Sequence, residues 1–150
     1  MLLEWIKVIL SALSVFIALV AAFQAIHVFR SNVHLQRAKW ISELYTKFYS
    51  NDSQHNEIRR LIDDGRLASD ETKIKNIQSL IKNQDDKLYE YLGFFEYVVY
   101  LKNTGQISSR DIKATFGYYI DQLRHPELMK EIGRPELSFE NLQQYLANSQ

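Results

Sequence analysis

The sequence predicts an all-α protein: a single transmembrane helix continuing into a stalk, followed by a small cytoplasmic helical bundle of about five to six helices. Three observations carry this reading. Val8 to Val28 form a charge-free run, VILSALSVFIALVAAFQAIHV, closed by Lys7 and Arg30, and roughly 20 mainly apolar residues suffice to cross a hydrocarbon layer ~30 Å thick. Downstream, apolar side chains recur at spacings of three and four, the period of a helix with a buried face. No rival period-2 alternation occurs in the 150 residues.

The only polar side chains of the run are Ser11, Ser14, Gln24 and His27. It is longer than the ~7–15-residue apolar core of a secretory signal peptide and follows Glu4 rather than a basic cluster, so it reads as an uncleaved anchor. Arg30, Arg37 and Lys39 follow the span, with His34 among them, whereas Lys7 precedes it near Glu4 and the interfacial Trp5. The more basic flank stays inside, which places the chain in the inner (cytoplasmic) membrane as a single-pass protein with its N-terminus outside and its C-terminal domain cytoplasmic. Ser14, Ala18, Ala21, Ala22 and Ala25 cluster on one face of the span. Helices associate in lipid by close packing, which small residues permit, so this face, prolonged by Trp40, is the expected interface of a homo-oligomer.

The first glycine is Gly65 and the first proline Pro126, so nothing stops the helix at the membrane surface. Val33, Trp40, Ile41, Leu44 and Phe48 share a face, and Asn51, Asp52 and Ser53 supply the break. The expected division is a transmembrane helix over 1–29, a juxtamembrane helical stalk over 30–50 and a cytoplasmic helical domain over 51–150.

Asp52 or Ser53 is then expected to cap a helix running to Asp64, with Ile58, Leu61 and Ile62 inward and Gly65 as its stop. Ser69 caps the next, which holds Ile74, Ile77, Leu80 and Ile81 and ends near Asn83. Asp85 and Asp86 open KLYEYLGFFEYVVYLKN, where the helix dipole favours them. Leu88, Tyr91, Leu92, Phe95, Val98 and Val99 make one face of that helix, while Tyr89, Phe94, Tyr97, Tyr100 and Leu101 leave little of its circumference polar, so it must be packed on several sides. Asn103-Thr104-Gly105 ends it. Ser108 begins a capping box with Asp111, and Ile112, Phe116, Tyr119, Ile120 and Leu123 follow on one face. Pro126 opens a short helix ended by Gly133, and Ser138 is expected to cap a last helix carrying Phe139, Leu142, Tyr145 and Leu146.

Charge and composition narrow the chemistry. Residues 1–50 carry five Lys and Arg against two Asp and Glu, and the remaining hundred carry 13 against 16. Interspersed charges of both signs are the pattern of solvated helix faces, so no generic nucleic-acid binding is expected. The chain has no cysteine, which excludes disulfides, thiolate metal sites and a cysteine nucleophile. No His pair at i and i+4 suggests a metal, and there is no Gly-rich phosphate loop, GxSxG elbow or HExxH. The expectation is a protein that is not an enzyme and takes no metal and no cofactor.

From Tyr89 to Leu146 the chain resembles an uncharacterised family of small bacterial proteins, a domain of unknown function. The resemblance lies in Phe94-Phe95-Glu96, the turn Gly105-Gln106-Ile107 followed by Asp111-Ile112, Phe116-Gly117 before an aromatic helix, and the Phe-Glu-x-Leu of Phe139 to Leu142. It implies an N-terminal membrane segment ahead of a helical cytoplasmic part, and no activity. Arg134 matches an Arg that the family typically has, here between Gly133 and Pro135.

Arg59, Arg60 and Arg66, with Lys73 and Lys75 beyond, form the densest basic grouping of the soluble part, and with Arg124 and Arg134 they are the candidates for binding a small nucleotide. Against this, Asp63, Asp64, Asp70 and Glu71 interleave with them as on a solvated face. Glu96, amid Phe94, Phe95, Tyr97 and Tyr100, is a candidate acid, though such a Glu more often meets a hydroxyl, an Arg or a helix N-terminus and fixes two helices together. His27 and His34 lie seven residues apart and are candidates for a proton-sensitive ring. The expected partners are membrane lipid, further copies of the chain, and a small nucleotide or a protein. The expected function is a homo-oligomeric membrane effector or sensor, with anti-phage defence suggested by analogy of architecture; the alternative is a passive tether recruiting a cytoplasmic protein.

Overall fold

The computed structural model describes residues 1–50, 55–64, 70–83 and 86–148. Seven α-helices, α1 (Leu2–Tyr49), α2 (Asn56–Asp64), α3 (Asp70–Lys82), α4 (Asp86–Asn103), α5 (Ser109–Leu123), α6 (Pro126–Ile132) and α7 (Glu140–Asn148), and a 3₁₀ turn at Pro135–Leu137 make an all-α fold, with no strand among the described residues. The caps expected at Asp52 or Ser53 and at Ser69, the stop at Gly65, the acidic start at Asp85, the side chains of Ile62, Asp63, Asp64 and Asp70, and Arg66 lie outside the described residues.

The chain divides into two compact units, Met1–Lys39 and Trp40–Gln150. In the first, one helix among the described residues is long and apolar enough to cross a membrane, and none of its most apolar stretch is buried within the protein. Phe16, Leu19, Phe23 and Phe29 are all exposed there.

The second unit is built around α4. Eight of its residues are buried, and it packs against α2, α5 and α7, while α3 meets α2 and α6. An apolar helix with this many neighbours answers its sequence. The unit begins at Trp40 rather than after residue 50, so the second half of the expected stalk is bundle core: Leu44 and Phe48 are buried, and Trp40, Ile41 and Tyr49 pack against them. Phe48 is fully buried. Its ring centroid lies 4.9–6.0 Å from those of Tyr49, His55, Tyr91, Phe94, Phe95, Phe116 and Tyr119. Stacked, tilted and edge contacts of this kind add to the burial itself.

Local signals set the remaining ends. Gly105, at φ 77°, supplies the left-handed residue after α4, and the N–H groups of Gly105 and Gln106 close on the carbonyls of Lys102 and Leu101 at 3.0 and 2.9 Å, the paired bonds of a Schellman stop. Ser108 and Asp111 form the expected capping box of α5. At α7 the local cap is replaced by a distant one. Ser138 takes a left-handed backbone, φ 53° and ψ 40°, and the first free amides of α7 turn to Glu96 of α4: the Glu96 carboxylate accepts from Asn141 N at 3.2 Å, Leu142 N at 2.7 Å and Asn141 Nδ2 at 2.6 Å. A carboxylate at a helix N-terminus satisfies orphan donors and meets the favourable end of the dipole.

Candidate functional site

Among the described residues, two surface features of the bundle that combine shape with charge stand out. The first lies on α4. Its outward stripe, at i+3 and i+4 steps, reads Asp86, Glu90, Gly93, Tyr97, Tyr100. Around Gly93 opens a notch of about 240 Å³, lined by Lys47 from the end of α1, His55, Glu90, Phe94 and Tyr97. Tyr97 and Tyr100 are 40% and 50% exposed, with rings stacked at 6.4 Å and 19°. The imidazole of His55 is buried beside Phe48, Tyr91 and Phe94. Burial first, and then the cations of Lys47 and Arg59, hold its pKa below the usual 6.5.

The second is a groove between α5 and α7 of about 360 Å³, with Ile112 and Ile120 beneath and Ser109, Lys113, Arg124 and Tyr145 among its lining. It adjoins a more polar one of about 540 Å³ that shares Ser109 and Tyr145 and adds Lys102 and Asn103. Lys102 Nζ sits 5.6 Å from the centroid of the Tyr145 ring, a cation–π distance. Arg124 is anchored there, its Nη1 donating to the Leu146 carbonyl at 2.7 Å and its Nε 3.8 Å from Asp121.

Glu131, a buried carboxylate on α6, accepts from Tyr89 Oη at 2.8 Å and from Arg134 Nη1 at 2.8 Å. Burial and then the hydrogen bond to Glu131 raise the Tyr89 hydroxyl above its usual value; the same carboxylate, first through its hydrogen bond, raises Arg134. With both partners in place the cluster ties α4, α6 and the following turn together, as a satisfied buried charge should.

The sequence-selected arginines divide among these settings. Arg59 closes the end of α1, its Nη1 donating to the Phe48 carbonyl at 2.8 Å and its Nη2 to Asn56 Oδ1 at 3.0 Å, with its guanidinium 5.2 Å from the centroid of the Tyr49 ring. A cation there complements the helix dipole. Arg60 is exposed, Arg134 holds Glu131, and Arg124 lines the groove between α5 and α7. The proposed oligomer face, Ser14, Ala18, Ala21, Ala22 and Ala25, is exposed throughout, and Ser14 Oγ donates to the Leu10 carbonyl at 2.8 Å, so its hydroxyl is satisfied within the helix. Trp40 packs on the core of its own bundle. Glu96 takes the helix-pinning role set against a catalytic one. His27 and His34 are exposed.

Sequence reasoning missed His55, Glu131 and the Lys47–Gly93 notch. The signal for the notch was present: Gly93 interrupts an aromatic helix one turn from Glu90 and one from Tyr97. No family model, curated protein or solved structure matches this chain.

Proposed function

We propose that the chain is a single-pass inner-membrane protein, N-terminus outside, that works as a homo-oligomeric effector or sensor whose cytoplasmic bundle receives the signal. One observation carries the reading: the helix that bears the apolar run also supplies Leu44 and Phe48 to the bundle core. A passive tether needs only a greasy span and a linker. Here a rearrangement of the core must be accommodated by the last turns of that same helix, which is what a transmitting element requires. The small-residue face of the span supports assembly. The α5–α7 groove sets two cations, Lys113 and Arg124, against one anion, Asp121, over an apolar floor; that balance favours a small anionic ligand, and a small nucleotide is the trigger to try first.

The deciding experiment is the mass of the detergent-solubilised full chain, wild type against the pair Ala18→Leu and Ala22→Leu, with and without nucleotides. An oligomer that the two leucines dissociate or change in stoichiometry is expected. A monomeric wild type overturns the effector reading in favour of the tether, and an unchanged oligomer removes the span face from it. A reporter fused after Gln150 should be active in the cytoplasm; periplasmic activity reverses the orientation.

A further inference from the structure

We propose that the notch on the outer face of α4, centred on Gly93, is where the bundle of one chain docks on the bundle of a second copy. This deepens the assembly reading above and rests on it in one respect, that chains meet in the same membrane.

The glycine is the starting point. Inside a helix Gly is less favourable than Ala, yet a Cβ at Gly93 would meet nothing within 4 Å. Packing within the chain therefore gives no reason for the missing side chain. Close approach of another backbone does. The flanks fit such an approach: Tyr97 and Tyr100 present stacked, half-exposed rings, and tyrosine is enriched where protein interfaces bury their centres.

Charge selects the occupant. Lys47 and Glu90 line the same notch, and neither forms an ion pair among the described residues. In a two-fold contact about Gly93 each copy brings one cation, Lys47, and one anion, Glu90, to the shared seam, so the patch carries both charges that a contact between identical faces needs. An anionic lipid surface, by contrast, would meet Lys47 but leave Glu90 without a partner. Anchoring also raises the effective concentration of one bundle for another, so a modest patch suffices.

The absence of native cysteine makes the test direct. Gly93→Cys places a thiol in open space, next to the proposed axis, and the full chain in lipid nanodiscs is treated with a short bismaleimide. The expected result is a covalent dimer, well above that from Lys130→Cys, an exposed α6 position. Adding Lys47→Glu should reduce the dimer several-fold, and adding Glu90→Lys to that variant should restore it. Ala18→Cys, oxidised in the same particles, reports on the span separately. Cross-linking at Ala18→Cys with none above background at Gly93→Cys overturns the notch and leaves span assembly intact. Cross-linking at Gly93→Cys alone supports the notch and removes the span face. A dimer indifferent to the charge swaps overturns the two-fold arrangement. If Gly93→Cys lowers helicity, Asp86→Cys, exposed on the same stripe and treated with a longer bismaleimide, replaces it with the same expected outcomes.

Discussion

Two stretches of α1 are equally rich in large apolar side chains and meet opposite fates. Phe16 and Phe23 are 64% and 72% exposed, whereas Phe48 is wholly buried among aromatic rings. Composition alone does not separate them; pattern does. In the first stretch apolar residues cover the whole circumference over some twenty positions without a charge, the pattern of a helix long and apolar enough to cross a membrane. In the second, Glu43 and Lys47 leave a single face, Leu44 and Phe48, and a single face is what a protein core covers.

The comparison breaks most visibly at the boundary. A fragment beginning at Ser53 should fail to fold and one beginning at Trp40 should fold, because only the second retains Phe48; cooperative thermal unfolding by circular dichroism distinguishes them. In the full chain Phe48→Ala should cost ~3–5 kcal/mol, the range for truncating a fully buried Phe, read from chemical denaturation. A wild-type-like denaturation midpoint for Phe48→Ala would mean that the bundle does not depend on α1 at all.

Next in size is the clamp on α7. Glu96→Ala removes the acceptor for two helix amides and should cost ~1–2 kcal/mol, whereas Glu96→Gln retains one oxygen and should cost less than ~1 kcal/mol. Equal losses would mean that the carboxylate charge, not the hydrogen bonding, holds the helix end.

A smaller, pH-dependent effect tests how tightly the end of α1 is enclosed. Because the folded pKa of His55 is depressed below 6.5, the unfolded chain takes up the proton first. Stability from this group is therefore complete above pH 6.5 and is lost as pH falls from there through the folded pKa. His55→Phe should flatten that limb of the stability curve; an unchanged slope would place the imidazole in contact with water. At the bottom of the scale, Phe23→Ala should leave bundle stability within about 0.5 kcal/mol of wild type, as expected of a residue outside its core.

The bounds of α4, α5 and α6 were legible because they are announced chemically: Gly105 after Asn103, Ser108 with Asp111, Pro126 before Gly133. The burial of α4 on several sides was legible from its nearly unbroken apolar circumference. What the sequence could not show was where side chains from separate helices meet. Ser138 sits where a cap belongs, but the amides it would satisfy are taken by a carboxylate 45 residues away, a pairing that only the packing of α4 on α7 creates. Arg59 and Arg60 are neighbours in the chain, yet one seals the end of α1 and the other faces solvent. From sequence Phe48 belongs to the stalk because its periodicity continues that of the helix before it; the change in neighbours at Trp40 leaves no mark on a helical wheel.

The non-local clamp at Glu96 also makes α7 conditional on α4. A helix of nine residues is too short to persist alone in water, and one capped by its own sequence gains some residual helicity before it docks. The α7 segment draws its cap from another helix, so its order arrives only with the tertiary contact. Amide exchange at Asn141 and Leu142 should therefore track the opening of the α4–α7 pair as one cooperative unit, while amides at Asp111 and Ile112, held by the local box at Ser108, report fraying of α5 alone.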